Sequence, residues 1–205
     1  RLIREGPFED VWIQPAAGDA GGALGAALAA WHQYADRPRQ PRRPDAMAGA
    51  LLGPSYSDRE VGERLTRLGA VFERLDEDEL LSHVASLLAK EQVVGWMHGP
   101  MEFGPRALGA RSILGDARSP RMQSVMNLKI KYRESFRPFA PAVLAEQAQR
   151  YFGLVGTSPY MLQVADVRQE FRRADADGEC AEAGLERLKT VRSEFPAVTH
   201  VDYSA

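Results

Sequence analysis

The stretch from His98 to Arg137 limits this chain more than any other. Gly99, Pro100, Gly104, Pro105 and Gly109 punctuate its first third, so no regular element can run through it and the fold has to carry a long loop there. The same window holds Arg106, Arg111, Arg118, Arg121, Lys129, Lys131, Arg133 and Arg137 against Glu102, Asp116 and Glu134, a local balance of +5. The formal charge of all 205 residues is -2, so the rest of the chain sums to -7 and the positive charge is concentrated. Composition enters as a boundary condition: 44% hydrophobic and 26% charged residues build a globular core and exclude a disordered or fibrous chain.

Further classes fall away by the same reasoning. A lone cysteine, Cys180, cannot close an intramolecular disulfide or supply a thiolate zinc site, which favours a reducing, cytoplasmic setting. Apolar runs such as 21–30 are about half of the roughly 20 residues a membrane crossing needs, so no membrane partner is expected. Nucleic acid is not expected either, because the basic window lacks interleaved aromatics for base stacking and the remainder of the chain is acidic.

Along the chain, periodicity and capping predict an α/β order. Residues 10–15 read as a short strand entering the loop 16–22, followed by an Ala-rich helix to about Tyr34. The start at Arg1 and the end at Ala205 both read as cuts through a longer sequence. Prolines and arginines between Asp36 and Pro54 read as a linker. Ser57 with Glu60 predicts a capping box, Asp76 or Asp78 a second helix start, and 93–96 a buried strand. Beyond these, helices are expected over 120–131, 145–152 and 180–190, and strands over 139–144, 160–167 and 197–205.

The basic loop predicts a site for a small polyanion. Glycines let the main chain approach a phosphate so that N–H groups donate to it, and arginine forks bind phosphate in two-pronged fashion. Arg137, set between Phe136 and Pro138, reads as a guanidinium in an apolar setting that needs an anionic partner. His98, between strand and loop, is the histidine placed to donate to a phosphate or carry a proton near neutral pH, the alternative being a structural histidine satisfied within the fold. Glu102 reads as orienting Arg106, holding magnesium, or forming an ion pair that stiffens the loop.

Four stretches then resemble one family. They are 15–27 around Gly18-Asp19, 98–114 with Glu102-Phe-Gly-Pro-Arg106-Ala-Leu-Gly-Ala-Arg111-Ser112, 127–141 from Asn127 through Lys129, Lys131, Arg133 and Arg137 to Pro141, and the closing Thr199-His-Val-Asp202. Together they are similar to the O-carbamoyltransferases of nodulation-factor and antibiotic biosynthesis, over nearly the whole chain. The resemblance implies residues 1–36 as the end of an actin-like (ASKHA) metal-binding transferase domain, 37–54 as a linker, and 55–205 as a YrdC-like domain with a twisted mixed sheet and a truncated C-terminus. It implies carbamoyl adenylate formation from carbamoyl phosphate and ATP, with magnesium, and passage of the carbamoyl group to a hydroxyl of a natural product. Under it, His98, Arg106 and Arg111 are catalytic; Ser112, Asn127, Lys129, Lys131, Arg133 and Arg137 hold substrate or nucleotide; and Asp19 is the surviving ligand of an iron site whose histidines lie upstream. A threonylcarbamoyl adenylate synthase-like enzyme and a non-catalytic phosphate-binding module are the competing expectations.

Overall fold

The computed structural model describes residues 2–9, 11–154, 156–173 and 184–205. In chain order the regular elements are α1 (Leu2–Glu5), α2 (Asp19–Ala29), α3 (Asp58–Arg67), α4 (Glu77–Ala89), β1 (Val94–Met97), β2 (Arg111–Leu114), α5 (Met122–Val125) and α6 (Ala148–Tyr151). A π-turn over Ala30–Tyr34 prolongs α2, another over Met126–Ile130 prolongs α5, and a 3-10 turn over Ala145–Gln147 leads into α6. The chain is therefore mixed α and β, and among the described residues its sheet is the two-stranded antiparallel pair β1–β2.

Local chemistry explains the two best-defined helix starts. The Ser57 side chain accepts the Glu60 amide at 3.3 Å while the Glu60 carboxylate accepts the Ser57 amide at 2.8 Å, closing the predicted capping box of α3. Asp76 caps α4 through the Glu79 amide at 2.8 Å. A cap of either kind contributes about 1 kcal/mol.

The strands expected over 139–144, 160–167 and 197–205 do not form. Pro138 and Pro141 leave the first of these without the donors a ladder needs, and it runs irregularly. The other two meet at an isolated antiparallel bridge, Asp166 with Ser204, and Val167 makes a second such bridge with Phe152. Residues 11–14 likewise lie outside any strand; Asp10 falls outside the described residues, as does Cys180 with the start of the helix expected at 180–190, whose described part is a 3-10 helix over Gly184–Lys189.

The chain divides into two compact units. The first gathers Arg1–Arg74, Trp96–Ser112 and Ser158–Leu162. Its core is Met47, Ala50 and Tyr160, packed by Leu24, Phe103 and Leu108. The second half of the proline- and arginine-rich segment thus contributes Met47 and Ala50 to the core, whereas 36–44 stays exposed throughout. Asp45 explains the inward turn: both carboxylate oxygens accept the Tyr160 hydroxyl at 2.9 Å and one accepts the Met47 amide at 2.7 Å. Burial and the Asp45 carboxylate together push the Tyr160 hydroxyl above its ordinary pKa, so it remains a donor.

The second unit gathers Leu75–Gly95, Ile113–Thr157 and Gln163–Ala205. One of its cores packs Met122, Met126 and Ala197 with Val93 and Phe139; the other packs Phe152, Ala165 and Val167 with Tyr151, Leu154, Phe171, Phe195 and Ala205. A Cβ at Gly115 would lie 2.7 Å from the Met122 sulfur and 2.8 Å from that of Met126, so a larger residue there would oblige these flexible side chains to shift.

Candidate anion-binding site

In the first unit the site is the loop joining β1 to β2. Its core-facing ends are fixed by Phe103 and Leu108, both packed on the Met47 cluster, and Gly104 takes φ +106°, a conformation closed to most residues. Glu102 is 8% exposed, and its Oε1 accepts the amides of Leu108 at 2.9 Å, Ala110 at 2.7 Å and Arg111 at 3.0 Å. Burial alone would raise its carboxyl pKa; the amides of Leu108, Arg111 and Ala110 and its own N–H outweigh that, and it is held below the usual carboxylate range. The contacts Glu102 makes are to backbone amides and not to the Arg106 guanidinium.

That contact revises how the loop can bind an anion. The Gly109 amide donates to the Ser112 hydroxyl at 3.0 Å, so with the Glu102 contacts every amide from Leu108 to Arg111 already has an acceptor. The main chain there does not offer the phosphate cradle that the glycines suggest. Arg111 is half-buried and turns its guanidinium onto the carbonyls of Ala110 at 2.9 Å and His98 at 3.4 Å. Exposed His98 lies against Trp96, ring centroids 6.0 Å apart, and its amide donates to the Ala110 carbonyl at 2.9 Å. Arg106 stands exposed with no carboxylate or hydrogen-bond partner among the described residues.

In the second unit the π-turn after α5 carries the other residues. Asn127 has no exposed surface. Its amide donates to the carbonyls of Ser135 at 3.1 Å and Arg137 at 2.9 Å, and its oxygen accepts Arg133 Nε at 2.6 Å, so both of its donors are spent on the loop that follows. Arg133 also sits over the Phe139 ring at 4.9 Å. Lys129 and Lys131 are exposed and unpaired among the described residues. Arg137 departs from expectation: it is exposed and paired with Glu134 at 3.1 Å, so it is not a buried guanidinium awaiting an anion. Water carries away most of the strain the flanking aromatic and prolines suggest.

The structure therefore places His98, Arg106, Arg111 and Ser112 in one unit and Asn127, Lys129, Lys131, Arg133 and Arg137 in the other. Asp19, at the start of α2, is exposed, and no group of three or more metal-ligating side chains occurs among the described residues. One carboxylate does not make an iron site, so no step is derived through iron.

The first unit thus carries a buried carboxylate holding a glycine-rich loop with an exposed arginine, and the second a turn with two exposed lysines. Comparison with known proteins narrows the class. The family model described as Carbamoyltransferase C-terminus matches residues 85–205, and Carbamoyltransferase N-terminus matches residues 1–28. The chain belongs to the carbamoyltransferase family. It is 57% identical over its whole length to an uncharacterised protein of Synechocystis sp., covering 34% of that protein. It is 41% identical over its whole length to Nodulation protein NolNO of Sinorhizobium fredii, covering 27% of it, and 40% identical over 96% of its length to Nodulation protein NolO of Bradyrhizobium diazoefficiens, covering 36% of it. The chain thus spans about a third of the length of these relatives.

Proposed function

We propose that this chain is the part of an O-carbamoyltransferase that makes carbamoyl adenylate from carbamoyl phosphate and ATP, with a YrdC-like arrangement over 55–205 and the end of an actin-like transferase domain over 1–36. What supports the reading most directly is the set of unpaired cations, Arg106, Lys129 and Lys131, all inside the region 85–205 that matches the carbamoyltransferase C-terminus. Both substrates are strongly anionic, and holding either one requires fixed positive charge that the protein has not already neutralised, which each unit carries.

The chemistry divides accordingly. Water takes the phosphoryl group of carbamoyl phosphate, leaving carbamate and inorganic phosphate; a carbamate oxygen attacks the α-phosphorus of ATP, and pyrophosphate leaves. Arg106 binds phosphoryl oxygens, Lys129 and Lys131 hold the nucleotide phosphates, magnesium enters with ATP, and His98 donates to an oxygen that gains charge. Arg111, Ser112, Asn127, Arg133 and Arg137 serve by holding the two loops, as their contacts within the protein indicate. Passage of the carbamoyl group to a hydroxyl acceptor belongs to the longer protein, because Asp19 alone does not build the metal site of that step. No helix among the described residues is long and apolar enough to cross a membrane. The cytoplasmic setting proposed for the reaction rests on the lone Cys180.

Calorimetry and a pyrophosphate assay on this chain test the proposal. Pyrophosphate should appear with ATP only when carbamoyl phosphate is present, no carbamoylated acceptor should form, and Arg106→Ala should weaken carbamoyl phosphate binding about tenfold or more, the scale of a charge-assisted hydrogen bond. ATP binding without pyrophosphate under any condition would mark a binding module instead.

A further inference from the structure

We propose that Glu102 is a positioning residue for Arg106: by gathering the amides of Leu108, Ala110 and Arg111 on one oxygen, it closes residues 102–108 into a fixed ring and holds Arg106 at the outward turn of that ring. This inference rests on the functional reading above and names the device that prepares its anion-binding loop. Both ends of the ring are anchored: the Phe103 amide donates to the Ala50 carbonyl at 2.6 Å, and Phe103 and Leu108 pack on the core of the first unit. Between those anchors Gly104 takes the positive φ of +106° that the turn needs, the Pro105 ring fixes the next φ, and Arg106 follows at once. A buried carboxylate beside an anion site would repel the ligand if its charge were free. Here three amides face the charged oxygen, so the loop gains rigidity and Arg106 meets an anion without having to order the chain first.

The experiment titrates carbamoyl phosphate into this chain and its variants by calorimetry. Glu102→Gln keeps a carbonyl acceptor at the same reach and drops the charge. Glu102→Asp keeps the charge and, one methylene shorter, draws the acceptor away from the amides. Glu102→Gln is expected to bind within about threefold of the wild type and Glu102→Asp at least about tenfold more weakly; in an Arg106→Ala background Glu102→Asp should cost less than about threefold more. A merely structural role would not produce that coupling.

Wild-type affinity in Glu102→Asp, or the same loss whether or not Arg106 is present, overturns the inference. Should Glu102→Asp fail to fold, amide exchange in the unliganded wild type decides. Slower exchange at Leu108, Ala110 and Arg111 than at Arg106 and Ala107 is expected, and equal exchange at all five overturns it. A wild type that does not bind carbamoyl phosphate at all removes the functional reading itself, whereas the other adverse results remove only the role of Glu102.

Discussion

Asn127 and Glu102 do the same job with opposite chemistry: one buried amide gathers two carbonyls and an arginine, and one buried carboxylate gathers three amides. Neither has an equivalent substitute nearby. Asn127→Ala strips the Ser135 and Arg137 carbonyls and Arg133 Nε of their partner, and the expected cost is about 2–3 kcal/mol in denaturant unfolding, the penalty for leaving buried polar groups unmade. For Glu102 the measurable consequence is a pH dependence. Its folded carboxyl holds a proton less readily than the same group in an unfolded chain, so its contribution is complete above the ordinary glutamate pKa of about 4.3 and is lost as pH falls through the lower folded value. Stability measured from pH 5 downward should fall less steeply in Glu102→Gln than in wild type, and equal slopes would show that this carboxylate is not linked to folding.

At the scale of elements, the sequence was readable wherever a feature closes on itself within a few residues. Ser57 with Glu60 and Asp76 with Glu79 stood where spacing put them, because their bonding partners are local; β1 formed one residue later than the 93–96 expected and is only half buried, since its partner β2 lies some way along the chain. Failures came from partners set by distant chain. Nothing near Asp45 announces Tyr160, 115 residues on, yet that hydrogen bond sits beside the core formed by Met47 and Ala50. The late strands failed for the reverse reason, since alternating apolar residues promise a strand only if a neighbour offers a matching edge. At the candidate site, the basic residues and Glu102 were visible as residue types, but that glycine-loop amides answer to Glu102 and Ser112 was not, because the loop path decides it. One element can be improved by substitution. Tyr132 ends the π-turn at φ 48° while 85% exposed, and the Arg133 amide closes back on the Asn127 carbonyl at 2.9 Å, a helix-ending geometry that suits glycine. Tyr132→Gly should raise unfolding stability by about 1 kcal/mol, read from the shift in denaturant midpoint; a loss would mean that the tyrosine ring has an unseen partner.

For the whole molecule, the charge division is the property with a measurable signature. A window at +5 within a chain at -2 gives each unit a basic stretch that draws anions while the remaining surface repels them. Raising salt from about 0.05 to 0.2 M shortens the screening length by about half, and ATP affinity should fall several-fold; affinity indifferent to salt would argue against exposed cations as the main contacts.

The two units are not consecutive lengths of chain. The backbone passes from one to the other after residues 74, 95, 112, 157 and 162, and the five-residue return at Ser158–Leu162 brings Tyr160 to Asp45. Neither unit can be expressed as an uninterrupted polypeptide, nor could recombination move one into another protein as a cassette. A stop codon at 158 would strip the earlier residues of the aromatic ring on which Met47 and Ala50 close, so damage late in the reading frame would be felt first near its beginning.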